Sequence, residues 1–248
     1  MSRWPRSPSL KEFAAMVPTV LNARQPAPTH LLTLWLHLPV VLQGPTGRIK
    51  VRSSLEASLA DCRQTTNRGS DGKVASGKPS GSWLGAMGYL ALLDQVGNAV
   101  LHMNPARVAS GNSGVERALA YFTTLSDDDA ICIYALRNSL AHDFSLVNLP
   151  PRHRDARRRK LLTQLFTLAD GPDALIIRPG RAWNPRRPNS GGPTIINVRA
   201  LGDLVEQAIE QLRLTHAEGK VRLRLKAADG TPISATVWSK GRFFVHSV

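Results

Sequence analysis

The 248-residue chain lacks features that mark several large classes of protein. It has only two cysteines, Cys62 and Cys132, and their distance in sequence excludes a disulfide framework or a cysteine-rich zinc cluster. Its one long apolar run, LLTLWLHLPVVL at 31–42, is too short to span a bilayer and begins too late for a secretory signal. The sequence therefore predicts a cytoplasmic protein without a membrane segment.

Fingerprints of nucleotide-binding and hydrolytic enzymes are also missing. There is no phosphate-binding glycine loop, no dinucleotide motif and no serine-hydrolase elbow. The seven histidines show no spacing with cysteines or carboxylates that would bind a metal. We accordingly expect neither a cofactor nor a metal ion.

Acidic residues are scarce, since 18 Asp and Glu oppose 32 Lys and Arg, for a net charge of +14. The imbalance is uneven: residues 81–148 hold 3 basic and 6 acidic residues, whereas residues 149–198 hold 10 and 3. A basic excess of this size favours a polyanionic partner, most simply nucleic acid. The run RHRDARRRK is either a solvated loop or a strip that contacts the RNA backbone, the latter through Arg152, Arg154, Arg157, Arg158, Arg159 and Lys160.

Apolar periodicity divides the chain into three parts. Residues 1–80 are rich in Ser, Pro, Gly and Arg, which predicts a basic extension that is disordered or loosely packed. Residues 81–148 show three successive helical patterns, whose expected N-caps are Ser82, Ser113 and Ser126. This middle part should form a helical bundle.

Residues 149–248 should add a hairpin, a helix and a second hairpin packed on the bundle. LLTQLFTL and ALIIRP around the turn ADGPD favour the first hairpin, with a short helix over residues 161–168 as the alternative. VRALGDLVEQAIEQL predicts an amphipathic helix, and VRLRLK with ISATVW predicts the second hairpin. Trp183 and Trp238 either stack on bases or anchor the fold. The expected fold class is α+β.

Polar residues recur at every fourth position near the end of the first predicted helix. Asp94, Asn98 and His102 would share one face if the helix continued through all three. That stripe either faces solvent or lines a polar site shared with the third helix.

The third helix contains the most informative stretch, YALRNSLAHDF, with Arg137, Asn138 and His142 near its end. At 100° per residue, Asn138 and His142 share a face, whereas Arg137 lies roughly 140° from His142 and must reach around the axis. An imidazole can move a proton near neutral pH, and a guanidinium can bind phosphate oxygens. Together they suit phosphodiester chemistry, most simply attack by the ribose 2′-hydroxyl of RNA on the adjacent phosphorus.

An arginine, a polar residue and a histidine in this spacing resemble the signature of HEPN (higher eukaryotes and prokaryotes nucleotide-binding) domains, over roughly residues 81–148. The resemblance implies a helical bundle that acts as a metal-independent endoribonuclease, often a toxin or antiviral effector, with its site formed across a homodimer of motif helices. It implies that His142 is the general acid or base, that Arg137 holds the scissile phosphate and that Asn138 orients either group.

Two alternatives to a nuclease remain open at this point. Some HEPN domains are non-catalytic interaction or nucleic-acid-binding modules, such as the regulatory half of a two-component toxin–antitoxin system. Arg137 and His142 would also be favourable near a helix C-terminus through the helix dipole alone.

Overall fold

The computed structural model describes residues 27–37, 39–44, 47–75, 82–107, 113–150, 155–171, 174–225, 231–235 and 243–247. Over these ranges the chain forms seven helices: α1 (Pro28–His37), α2 (Ser54–Thr65), α3 (Ser82–Ala99), α4 (Gly114–Phe122), α5 (Asp127–Asp143), α6 (Ala156–Leu162) and α7 (Val198–Ala217). The same ranges contain nine strands: β1 (Pro39–Gly44), β2 (Gly47–Ser53), β3 (Val100–His102), β4 (Val147–Asn148), β5 (Gln164–Ala169), β6 (Ile176–Ile177), β7 (Thr194–Asn197), β8 (Val221–Leu223) and β9 (Phe243–Ser247). The fold class is α+β, as the sequence predicted.

The strands form three small sheets. One has the order β1-β2-β9 with antiparallel neighbours, in the register Val40↔Val51 and Val51↔Val245. A second consists of the antiparallel pair β3 and β8. The third has the order β4-β5-β7-β6, in which β5 and β7 run parallel and the other two pairs are antiparallel.

The chain divides into two compact units that do not follow the boundaries expected from sequence. The first unit comprises the residues up to Leu59, Ala99–Asn104 and the residues from Gln211 onward. The second comprises Ala60–Asn98 and Pro105–Glu210. Residues 80 and 148, where we expected domain boundaries, therefore lie inside the second unit.

Part of the expected N-terminal extension is folded. The first seven residues of the apolar run that is too short for a membrane lie in α1, where Leu31, Leu34 and Trp35 have no exposed surface. The Trp35 indole Nε1 donates to the Ser54 hydroxyl at 3.1 Å. The expectation of disorder is wrong for residues 28–37, 39–44 and 47–65, which form helices and strands. The sequence did not show this because Pro- and Ser-rich segments surround the apolar run.

In the second unit, the three helices of the middle segment begin close to where the sequence predicts. The Ser113 and Ser126 hydroxyls accept hydrogen bonds from Glu116 N and Asp129 N, so both serve as N-caps. Ser82 is the first residue of α3 and so is not its N-cap, because an N-cap precedes the first helical residue. Predicted apolar rows are buried on α4 and α5, with at most 2% of each side chain exposed: Val115, Leu119, Phe122, Ile133, Leu136 and Leu140.

The first predicted hairpin is wrong, because β5 and β6 do not pair with each other. Both pair with β7, whose four residues TIIN lie between them in the sheet. Thr194 and Ile196 of β7 are buried. The sequence did not indicate this short strand because it lies between a Gly- and Pro-rich loop and the strong helical pattern of α7. The predicted apolar face of α7 is buried at Leu201, Val205, Ala208 and Leu212.

Of the second predicted hairpin, the structure describes the first strand and only residues 233–235 of the second. Strand β8 joins β3, in the register Val100↔Leu223 and His102↔Val221, so its ladder partner comes from far away in sequence. Across the predicted turn, Ile233 N donates to Leu225 O at 3.0 Å. Trp238 lies outside the described residues.

Candidate active site

Helix α5 carries the predicted motif and has well-defined ends. Three aspartates occupy its first turn, where their charges interact favourably with the helix dipole. It ends at Phe144, whose left-handed backbone (φ 45°) directs the peptide N–H back to the Ser139 carbonyl. Arg137, Asn138 and His142 therefore occupy its last two turns.

Arg137 stands at the centre of the candidate site. Its Nη1 lies 3.1 Å from His142 Nε2 and 3.4 Å from Asn138 Oδ1. Its Nη2 donates to Asp94 Oδ2 at 2.8 Å. The arginine thus reaches around the helix, as the spacing of the motif requires, and brings all three motif residues together with a carboxylate from α3.

The hydrogen bond between the guanidinium and the imidazole has a defined direction. A guanidinium has no lone pair to offer, so Arg137 is the donor and His142 Nε2 the acceptor. A hydrogen bond in this direction uses the imidazole tautomer that carries its proton on Nδ1. The site therefore presents a cation and an unprotonated imidazole nitrogen at adjacent positions.

The candidate site is accessible to solvent. His142 is exposed, and about a quarter of the Arg137 and Asp94 side chains is exposed (25% and 24%). A ligand can therefore reach the imidazole and one face of the guanidinium. The partial burial of Arg137 and Asp94 strengthens their attraction relative to a fully exposed pair.

Only the first member of the predicted polar stripe belongs to this cluster. Asp94 contacts Arg137, whereas Asn98 accepts a hydrogen bond from Arg117, which also donates to Gly97 O at 2.9 Å. The prediction for His102 is wrong, because α3 ends at Ala99 and His102 belongs to β3 in the other unit. The helix ends there because residues 100–102 pair with β8.

A close approach of α3 and α4 sets the position of Asp94. A Cβ added to Gly97 would lie 1.8 Å from Gly114 O, and one added to Gly114 would lie 2.4 Å from Asp94 O. Two glycines thus allow the start of α4 to rest on the backbone of α3 beside the site. The sequence analysis missed this contact, since a glycine within an apolar helix gives no sign of what packs against it.

From Ala156 onward, the basic run after the motif forms a helix rather than a loop. Asp155 caps α6 through a hydrogen bond to Arg158 N, and Arg159 and Lys160 are exposed. Arg158 forms a 2.8 Å ion pair with the buried Glu116, and only 13% of its own side chain is exposed. It cannot serve as the predicted RNA contact while it neutralises that carboxylate. Arg152 and Arg154 lie outside the described residues.

The position of this run also differs from the expectation. Arg157 Nη2 donates to Asp128 Oδ1 at 2.8 Å, which ties α6 to the first turn of α5. Asp128 precedes His142 by fourteen positions, about 21 Å along a helix axis. The described part of the run therefore attaches at the opposite end of α5 from the motif.

No family model matches this chain, and neither the curated proteins nor the solved structures include a significant match. Within the described ranges, no helix is both long and apolar enough to cross a membrane. The same residues contain no group of three or more His, Cys, Asp or Glu placed to hold a metal ion.

Proposed function

We propose that the chain is a metal-independent endoribonuclease of the HEPN type, with Arg137, His142 and Asp94 at its active site. The observation that carries the proposal is the placement of the Arg137 guanidinium between the Asp94 carboxylate and the His142 imidazole, at a solvent-accessible helix end. These groups supply the two requirements of RNA transesterification, a proton acceptor and a fixed positive charge.

The proposed reaction begins with a ribose 2′-hydroxyl near His142. Nε2 takes the hydroxyl proton, and the oxygen attacks the adjacent phosphorus. Negative charge grows on the non-bridging oxygens, where Arg137 stabilises it through its N–H donors. The 5′-oxygen leaves with a proton supplied by the imidazole of a second copy or by water. The products are a 2′,3′-cyclic phosphate and a 5′-hydroxyl.

Asp94 and Asn138 have supporting roles in this scheme. Asp94 accepts a hydrogen bond from Nη2 of Arg137 and so keeps Nη1 directed toward His142. Asn138 contacts Nη1 through its amide oxygen and cannot transfer a proton at neutral pH. Asp94 is thus a positioning residue, and Asn138 orients the arginine or the phosphate.

A homodimer through the motif helices is part of the proposal. Two apolar side chains that follow the motif are exposed, Phe144 by 73% and Leu149 by 58%. A twofold contact that covers them would bring two copies of Arg137 and His142 toward each other, since such a contact uses the same patch on both subunits. This supports a site built from two chains.

One observation favours a second function. The Arg137 guanidinium already has a carboxylate partner in Asp94, as expected of a helix end that is merely stabilised by an ion pair. A HEPN-type module that binds nucleic acid or an antitoxin partner without cleaving RNA would retain this arrangement. The two functions differ in what happens to RNA.

The deciding experiment incubates the purified protein with RNA in EDTA. We expect cleavage that leaves a 2′,3′-cyclic phosphate and that fails when the scissile ribose is 2′-deoxy. His142→Ala and Arg137→Ala should each lower the rate by about 10²- to 10⁴-fold, and Asn138→Ala by less. If the folded wild-type protein leaves varied RNAs intact, or if His142→Ala cuts as fast as wild type, the non-catalytic module is the better description.

A further inference from the structure

The loop at residues 178–192, here called the arginine loop, joins β6 to β7 in the second unit. It contains four arginines, Arg178, Arg181, Arg186 and Arg187, and no acidic residue. From the sequence, only its Trp183 was predicted to stack on bases or to anchor the fold.

The arginine loop is closed on itself by its own backbone. Gly192 N donates to Arg181 O at 3.0 Å, Arg187 N donates to Asn184 O at 2.9 Å, and Ser190 N donates to Arg187 O at 2.8 Å. Gly191 has a φ of 85°, and a Cβ there would lie 2.3 Å from Ala182 O. The arginines therefore project from an ordered backbone, which lowers the entropy cost of binding.

The arginine loop and α6 are fixed to the same turn of α5. Arg178 Nη2 donates to Asp129 Oδ1 at 2.6 Å, and Arg157 Nη2 donates to Asp128 Oδ1 at 2.8 Å. The two aspartates are consecutive, so both basic segments attach to the N-terminal end of α5. Each segment contributes one arginine as an anchor.

Arg158 is also paired, with the buried Glu116. The five other basic side chains of the two segments are exposed and, within the described part of the chain, have no carboxylate in ion-pair contact: Arg159, Lys160, Arg181, Arg186 and Arg187. Trp183, in the middle of the loop, is half-buried and keeps part of its side chain accessible. Exposed cations around an aromatic ring are the combination that binds single-stranded nucleic acid through phosphates and one stacked base.

We infer that these five cations and Trp183 form a surface that binds single-stranded RNA about 20 Å from the candidate active site. The inference relies on the RNA partner of the proposed function but not on catalysis. Asp129 precedes His142 by thirteen positions, about 20 Å at 1.5 Å per residue. A stacked strand that rises about 3.4 Å per nucleotide along its axis covers that distance in about six nucleotides. The surface holds the RNA upstream or downstream of the bond that His142 would cut.

The test measures binding separately from cleavage. Fluorescence anisotropy follows a labelled oligouridine of about 16 nucleotides, the upper end of common site sizes, on the His142→Ala protein at several salt concentrations. Arg186→Ala with Arg187→Ala should weaken binding and reduce the slope of log K against log salt by about 1.4, or 0.7 for each lost phosphate contact. The matched control, Lys73→Ala with Arg222→Ala, removes the same charge from two exposed positions elsewhere and should leave the slope unchanged.

Substitution of the tryptophan tests the single-strand preference. Trp183→Ala should weaken oligouridine binding by about 5- to 150-fold, the range for one stacked base, while Trp183→Phe should retain most of it. If the double variant and its charge-matched control weaken oligouridine binding equally, the proposed surface is refuted. Duplex RNA that binds as tightly as oligouridine, with no effect of Trp183→Ala, also overturns it.

Failure of this inference can be told apart from failure of the proposed function. If wild-type protein cleaves RNA while the arginine-loop variants bind like the control, only the surface is refuted. If oligouridine binds with the expected change in salt slope but no RNA is cut, the surface stands and the nuclease is refuted.

Discussion

The ion pair between Asp94 and Arg137 provides a sharp test of the proposed site. Asp94→Asn removes the charge but keeps the shape of the side chain that contacts Nη2 at 2.8 Å. Because both partners are about a quarter exposed, the lost attraction lies near the upper end of that for surface pairs, about 1 kcal/mol. The guanidinium would remain near His142 but would be less firmly oriented. We expect cleavage to fall about fivefold, which corresponds to about 1 kcal/mol in the activation barrier.

The assay is a single-turnover cleavage in EDTA on four proteins: wild type, Asp94→Asn, Arg137→Ala and the double variant. Arg137→Ala removes the charge itself, so its loss should be larger, about 10²- to 10⁴-fold. If Asp94 acts only through Arg137, the double variant cleaves as slowly as Arg137→Ala and no slower. This double-mutant cycle shows whether Asp94 affects the cleavage rate only by positioning Arg137 or also independently of it.

A control distinguishes positioning from general loss of stability. Glu206→Gln breaks another pair in the same unit, in which Arg63 contacts both carboxylate oxygens at 2.8 and 2.6 Å and each side chain is 17% exposed. This variant should lower the thermal midpoint at least as much as Asp94→Asn but leave cleavage unchanged. Wild-type cleavage by Asp94→Asn, or multiplicative losses in the double variant, would refute the assigned role.

Three further outcomes are expected. Gly97→Ala should lower the free energy of unfolding by at least about 1–3 kcal/mol in a denaturant titration, whereas Gly180→Ala, with no atom within 4 Å of the added Cβ, should change it little. Light scattering at micromolar concentration should give the mass of a dimer, and Phe144→Asp should give that of a monomer. Burial, and secondarily the charge of Arg213, lowers the pKa of His37 from 6.5 to about 4. Between pH 4 and 6.5 the unfolded chain therefore binds more protons than the folded chain. Stability should fall as the pH drops from 6.5 to 4, and His37→Gln should flatten this dependence.

Local signals in the sequence predicted the helices around the site well. Ser113 and Ser126 are caps because a hydroxyl can accept from a free N–H in the first turn, and this depends on neighbours only three positions away. The contact between Arg137 and His142 is also local, since it follows from helix geometry and the length of the arginine side chain.

The features that the sequence did not reveal depend on partners distant in the chain. β7 is only four residues long, and its place between β5 and β6 is decided by pairing rather than by its own pattern. Arg158 looks like its neighbours in the basic run, yet it alone faces the buried Glu116. The polar stripe on α3 was assumed to continue to His102 because a spacing of four gives no sign of where the helix ends.

The hydrogen bond from Arg137 to His142 Nε2 has a consequence for how the free and occupied states of the site would differ. The nitrogen that could accept a substrate proton is masked by the group that could bind its phosphate. An anion that draws Nη1 toward itself uncovers the imidazole lone pair in the same movement. The basic nitrogen would then become available only when a phosphate is already bound. Without a phosphate, water would find His142 Nε2 already hydrogen-bonded to Arg137.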